Sequence, residues 1–213
     1  MTKNTAIIII ILLILTGGFL YFRNYSRENI PININTIPQG QIQFLASDKT
    51  FTFNYNPLFQ TNTGDKNSTL DWKLNTEQKG ILLANVFIPK SYMPGTNFSD
   101  AHLTVGISND KNAIKNCKSV GNAGNGLSET DATISGYSFK KFTFSGAGAG
   151  NFYETTSYRG IVDGDCYAIE YTIHSTNIGN YPPELGIKKF DKNKIQSELE
   201  NIVHSFKFTI NSN

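Results

Sequence analysis

Two cysteines, three histidines and one run of alternating glycines are the residues of this sequence best suited to chemistry. Cys117 and Cys166 fit no C-x-x-C, zinc or haem spacing. In an exported domain, two such cysteines are most simply one disulfide. It would close a loop of about 48 residues and stabilise the fold by up to roughly 4 kcal/mol. The other reading is a pair of buried thiols. His102, His174 and His204 are scattered, and none belongs to an H-E-x-x-H motif, a nucleophile elbow or a paired-carboxylate signature. His204 follows Glu200 by four residues, the spacing of a helical pair.

The run Gly146-Ala147-Gly148-Ala149-Gly150 lacks the G-x-x-x-x-G-K-[ST] or G-x-G-x-x-G pattern of a phosphate loop opening a helix. With strand-like sequence on both sides it reads as a hairpin loop. Asp163-Gly164-Asp165 has no further oxygen ligands at calcium-loop spacing and reads as a turn. No cofactor and no metal is expected.

The chain has 213 residues, 17% charged and 12% aromatic, as in a globular domain. Its net charge of +2 comes from the first 40 residues. Removing Lys3, Arg23 and Arg27 from 19 bases and Glu28 from 17 acids leaves 16 of each. A domain that grips phosphate backbones carries a basic surplus, so nucleic acid is not an expected partner.

The basic residues at the N-terminus frame an uncharged stretch, Thr5 to Phe22. At 1.5 Å per residue it spans roughly 27 Å, close to the thickness of a bilayer core. Tyr21, Phe22 and Arg23 then supply an interfacial belt. A cleaved signal peptide is the competing reading, but the stretch is long and lacks an A-x-A site. A type IV pilin start fits less well, because Gly18-Phe19 lies at the wrong end of the run. Residues 1–22 are therefore expected to be an anchor, with the lipid bilayer as partner through residues 5–22. The N-terminus would be cytoplasmic. Residues 23–40, with Pro31 and Pro38, form a linker, and residues 41–213 an extracytoplasmic domain.

Within that domain, alternation predicts strands at 51–55, 70–74 with Trp72, 103–107, 152–159 and 167–173. Residues 81–88 are apolar on both parities, which predicts a central strand covered on both faces. A phase change between Phe139 and Phe142 predicts a β-bulge at Lys140-Lys141. Residues 110–118 predict a short helix bearing Cys117. Asp191 caps a longer one, whose stripe is Ile195, Leu199, Ile202, Val203 and Phe206. A short final strand is expected within 206–210. In the strand 166–174, Tyr167, Ile169, Tyr171 and Ile173 share one face and Cys166 lies on the other. The layered reading puts the terminal helix over the first face and the helix of Cys117 over the second.

The opening FTFNYNPLF, the meander after it, the strand CYAIEYTIH and the terminal IQSELENIVHSFKF resemble the Mog1/PsbP-like domains over residues 45–210. The resemblance implies an α+β fold, an antiparallel sheet with helices on both faces in an α/β/α sandwich. Members of that family act in binding and assembly: Mog1 engages a small GTPase and PsbP supports the oxygen-evolving photosystem. No family site residue maps onto this chain. The expectation is a membrane-tethered binding or accessory module with an unknown protein or cell-envelope partner. The alternative is an extracytoplasmic hydrolase with dispersed catalytic residues. Two long connections, 89–101 and 175–190, carry the candidate partner-binding aromatics Tyr92, Phe98 and Tyr181.

Overall fold

A computed structural model describes residues 40–64, 69–71, 79–119 and 127–209. The described chain forms two antiparallel sheets and two short helices. The first sheet contains β1 (Ile42–Leu45), β2 (Phe51–Tyr55) and β11 (Lys207–Phe208), in the order β1-β2-β11. The second contains β3 (Gln60–Thr63), β4 (Thr69–Asp71), β5 (Lys79–Ile88), β6 (Phe98–Ser108), β7 (Ser128–Ile134), β8 (Tyr137–Gly148), β9 (Asn151–Val162) and β10 (Asp165–Thr176). Its order is β3-β5-β6-β10-β9-β8-β7, with β4 also pairing β5. Helices α1 (Lys111–Lys115) and α2 (Lys192–His204) follow β6 and β10. Among the described residues no helix is long and apolar enough to cross a membrane. The expected anchor, and Trp72, lie outside those residues.

Three hairpins build the long half of the second sheet. Each closes on two residues with positive φ: Ser135-Gly136, Ala149-Gly150 and Asp163-Gly164. Such turns match the twist of the strands they join. The last is the expected Asp-Gly turn, and it sets β9 and β10 in register over their whole length.

Two expectations need correction. The strand at 81–88 is not central; β10 is, and β5 lies next to the short edge strands β3 and β4. Its mixed parity comes from a bulge. Ile81 pairs with Ile107, but Ala84 pairs with Val105, so Leu83 is extra and the core phase shifts from odd to even. Ala84, Val86 and Ile88 are then buried. No bulge occurs at Lys140-Lys141, where β8 pairs without interruption with both neighbours. Phe139 and Phe142 differ in phase because they are buried on opposite faces of one regular strand.

Asp110 caps α1 through Asn112 and Ala113, and Asp191 caps α2 through Lys194. The expected stripe Ile195, Leu199, Ile202, Val203 and Phe206 is buried. Phe206 lies against Phe51 at 4.8 Å between ring centres. Phe208 joins the two sheets, meeting Tyr167 at 5.1 Å and Tyr137 at 5.5 Å. In β10, Tyr171 bonds to Glu200 of α2, whereas Cys166, of opposite parity, is disulfide-bonded to Cys117 just after α1. The Cα atoms of that bridge are 5.6 Å apart.

Candidate functional site

The ends of β8, β9 and β10 run past the N-terminus of α2 and leave a groove of about 640 Å³, with a smaller recess of about 250 Å³ beside it. Ser145, Glu154 and Lys192 line both. The floor is made of small or polar residues of the sheet, such as Ser145, Ala147 and Ser175. Phe152 and Ile178 bring apolar surface to it while staying 43% and 41% exposed. Large apolar side chains left in the open at a concave surface mark binding sites. Glu154 and Lys192 form an ion pair within the groove. Lys189, also in the lining, has no ion-pair partner among the described residues.

The far wall, the connection after β10, is held by one buried side chain. Asn97 donates from Nδ2 to the carbonyl of Thr176 at 2.6 Å and accepts from the backbone N–H of Phe190 at 2.9 Å. A side-chain amide can serve both ends of a loop because it carries a donor and an acceptor. Asn177 N–H reaches across to the carbonyl of Gly150 at 2.8 Å, tying the wall to the tip of the β8–β9 hairpin.

The three aromatics expected to meet a partner all make contacts within the fold. Phe98 is fully buried, 5.7 Å from Phe190 between ring centres, so it is a core residue and not a surface one. Tyr92 packs edge-on against Phe59 and donates to Glu198 Oε1 at 2.7 Å, fixing a 3-10 turn to α2. Its burial and then its bond to Glu198 push the phenol up to about 12. Tyr181 shares a 2.7 Å hydrogen bond with Thr176 and steadies the groove wall without lining the groove.

Two polar clusters flank this region. Under α2, Glu200 accepts from Tyr158 and Tyr171 at 2.6 Å each and from Lys141 at 2.7 Å. Burial alone would raise the Glu200 carboxyl. The bonds from Lys141, Tyr158 and Tyr171 outweigh it and hold the group below its ordinary value. Both phenols are pushed well above the usual tyrosine range, first by burial and then by Glu200. On the opposite face of the sheet, Arg159 and Glu170 form a buried ion pair at 3.2 Å.

Also on that face, His174 Nδ1 lies 2.9 Å from Asp100 Oδ2, and Nε2 lies 2.9 Å from Asn151 Oδ1. The ring of Tyr153 stacks on the imidazole at 4.6 Å. An Asp–His pair is the supporting half of a hydrolytic triad. Here Asn151 stands where a serine hydroxyl would be needed, and its Nδ2 is turned to the carbonyls of Gly148 and Ala149. The described residues contain no group of three or more His, Cys, Asp or Glu able to hold a metal ion.

No family model matches the sequence, and no curated protein matches it. Solved structures do. A protein of Bacteroides thetaiotaomicron has a TM-score of 0.45 at 11% identity, over 82% of this chain and 50% of that one. This chain therefore spans half the length of that structure. The cyanobacterial PsbP of Synechocystis has a TM-score of 0.41 at 10% identity, covering 80% of this chain and 93% of its own. LpqN of Mycobacterium tuberculosis, described as involved in cell envelope biogenesis, has 0.38 at 8% identity, with 80% and 91% covered.

Proposed function

We propose that this chain is a membrane-tethered accessory module whose β domain, outside the cytoplasm, binds a protein or cell-envelope partner in the groove between β8–β10 and α2. The observation that carries the reading is the groove itself, where Phe152 and Ile178 stay exposed beside a floor of small and polar residues. Residues 5–22 supply the anchor, and α1 and α2 cover opposite faces of the large sheet. The Cys117–Cys166 bridge suits an oxidising compartment, where such bonds persist. The balance of 16 basic and 16 acidic residues from Gln41 onward suits a partner other than nucleic acid.

A second reading, an extracytoplasmic hydrolase, draws on the Asp100–His174 pair. It needs a hydroxyl at His174 Nε2, and Asn151 fills that place. Replacing His174 by alanine separates the two readings. The module keeps its partner after this change, whereas a hydrolase loses turnover of every ester or amide substrate it accepts.

The module reading is tested by introducing Phe152→Asp and Ile178→Asp into the full chain and recovering cross-linked neighbours from membranes. Recovery should fall while the melting temperature holds, because both side chains are exposed. Unchanged recovery would overturn the assignment to this groove.

A further inference from the structure

Strand β8 is longer than the strand that guards it. Its pairing with β7 ends at Ser128–Thr143, while its pairing with β9 continues to Gly148–Asn151. No described strand pairs with the outer edge of β8 beyond Thr143. The two-residue turn Ala149-Gly150 makes Gly148–Asn151 a hydrogen-bonded closing pair. Gly146 and Gly148 therefore direct their backbone groups to β9. Those of Ser145 and Ala147 face the other way, toward the open edge.

Exposed edges are normally blunted by charge. The edge strand β7 follows that rule, with Lys140 of β8 paired to Glu129 at 2.8 Å and Asp131 at 2.9 Å. The stretch Phe144-Ser145-Gly146-Ala147-Gly148 has no charged residue. Both of its faces are open: a Cβ added at Gly146 or Gly148 would meet nothing within 4 Å, and Ser145 and Ala147 lie in the groove floor. Among the described residues nothing covers this edge, which borders a groove holding Phe152, and the lysines of that groove, Lys189 and Lys192, outnumber its one acid, Glu154.

We propose that the edge of β8 at residues 144–148 takes an extended peptide segment of a partner protein as an added antiparallel strand, continuing the ladder that β7 begins. Main-chain bonds to Ser145 and Ala147 hold the segment, and its alternate apolar side chains lie over these two small residues toward Phe152. An acidic residue in the segment answers the lysine surplus. This proposal rests on the binding-module reading and names its partner chemistry.

The probe is the acetylated peptide Ser-Val-Thr-Val-Glu-Val-Thr amide, added to the full chain in detergent micelles, with amide exchange followed at residues 145 and 147. Both amides should exchange freely without peptide and at least about tenfold more slowly with it. A peptide N-methylated at alternate residues should leave them unprotected. Ala147→Pro removes only the outward N–H, which an edge position tolerates, so it should weaken binding about tenfold or more with the melting temperature nearly unchanged. Ala147→Lys, which keeps the N–H and charges the edge, should weaken binding too. Protection already present without peptide overturns the proposal, as does binding that leaves these amides unchanged. So does absence of binding at millimolar peptide. In each of those cases the module reading survives if cross-linked neighbours still depend on Phe152 and Ile178, and falls if they do not.

Discussion

The phenol of Tyr171, in the central strand, donates to Glu200 Oε1 of the terminal helix at 2.6 Å. With Tyr158 and Lys141 it makes Glu200 a carboxylate stabilised by folding. Such a group is held lower in the folded chain than in the unfolded one. Its contribution is therefore complete above the unfolded value and is lost as pH falls through the folded value. The ordinary value is 4.5. Glu200→Gln should cost about 1–3 kcal/mol at neutral pH. The gap between wild type and variant in urea denaturation should stay constant above about pH 5 and narrow below pH 4.5. A gap that is the same at pH 3 and pH 7 would refute this role.

Cys117 and Cys166 fasten the segment after α1 to β10. Reduction, or Cys117→Ser with Cys166→Ser, should lower stability by up to about 4 kcal/mol. Thiol titration of the denatured, unreduced protein should find no free thiol. Two free thiols would contradict both the bridge and the oxidising compartment.

Much of this architecture was legible where one local rule acted alone. The parity of Cys166 against Tyr167, Ile169 and Tyr171 gave opposite faces, and the bridge and the bond to Glu200 have that geometry. Asp191 and the stripe from Ile195 marked α2, and Asp163-Gly164 marked a turn. Phase changes misled, because a bulge and a strand buried on both faces look the same in one dimension. Leu83 is the first case and Phe142 the second. The groove was not legible. Asn97, Phe152 and the neighbours Lys189 and Lys192 come from three separate segments, and only folding brings them together. The aromatic pair Phe152-Tyr153, two residues past the glycine run, was a signal the sequence did carry.

Phe98 shows the limit of reading aromatics in long connections as surface residues: it opens β6 and is wholly buried. Tyr92 is half-buried and also makes contacts within the fold. Tyr92→Ala removes the contact with Phe59 and leaves Glu198 without its donor, so it should cost about 2–4 kcal/mol. Tyr92→Phe should cost only about 1 kcal/mol. Thermal denaturation of both variants measures this, and an alanine variant as stable as wild type would return Tyr92 to the list of surface candidates.

The central claim is that an anchored domain meets its partner at the groove. The most direct measurement places a photo-crosslinker at Ile178 of the full chain, with Ser135, at the opposite end of β8, as the control position. After irradiation of cells, membranes are washed with carbonate. The account predicts a discrete adduct from position 178, absent from position 135, in the carbonate-resistant fraction. Equal adducts from both positions, or a chain starting near residue 20 and free in the medium, would contradict it.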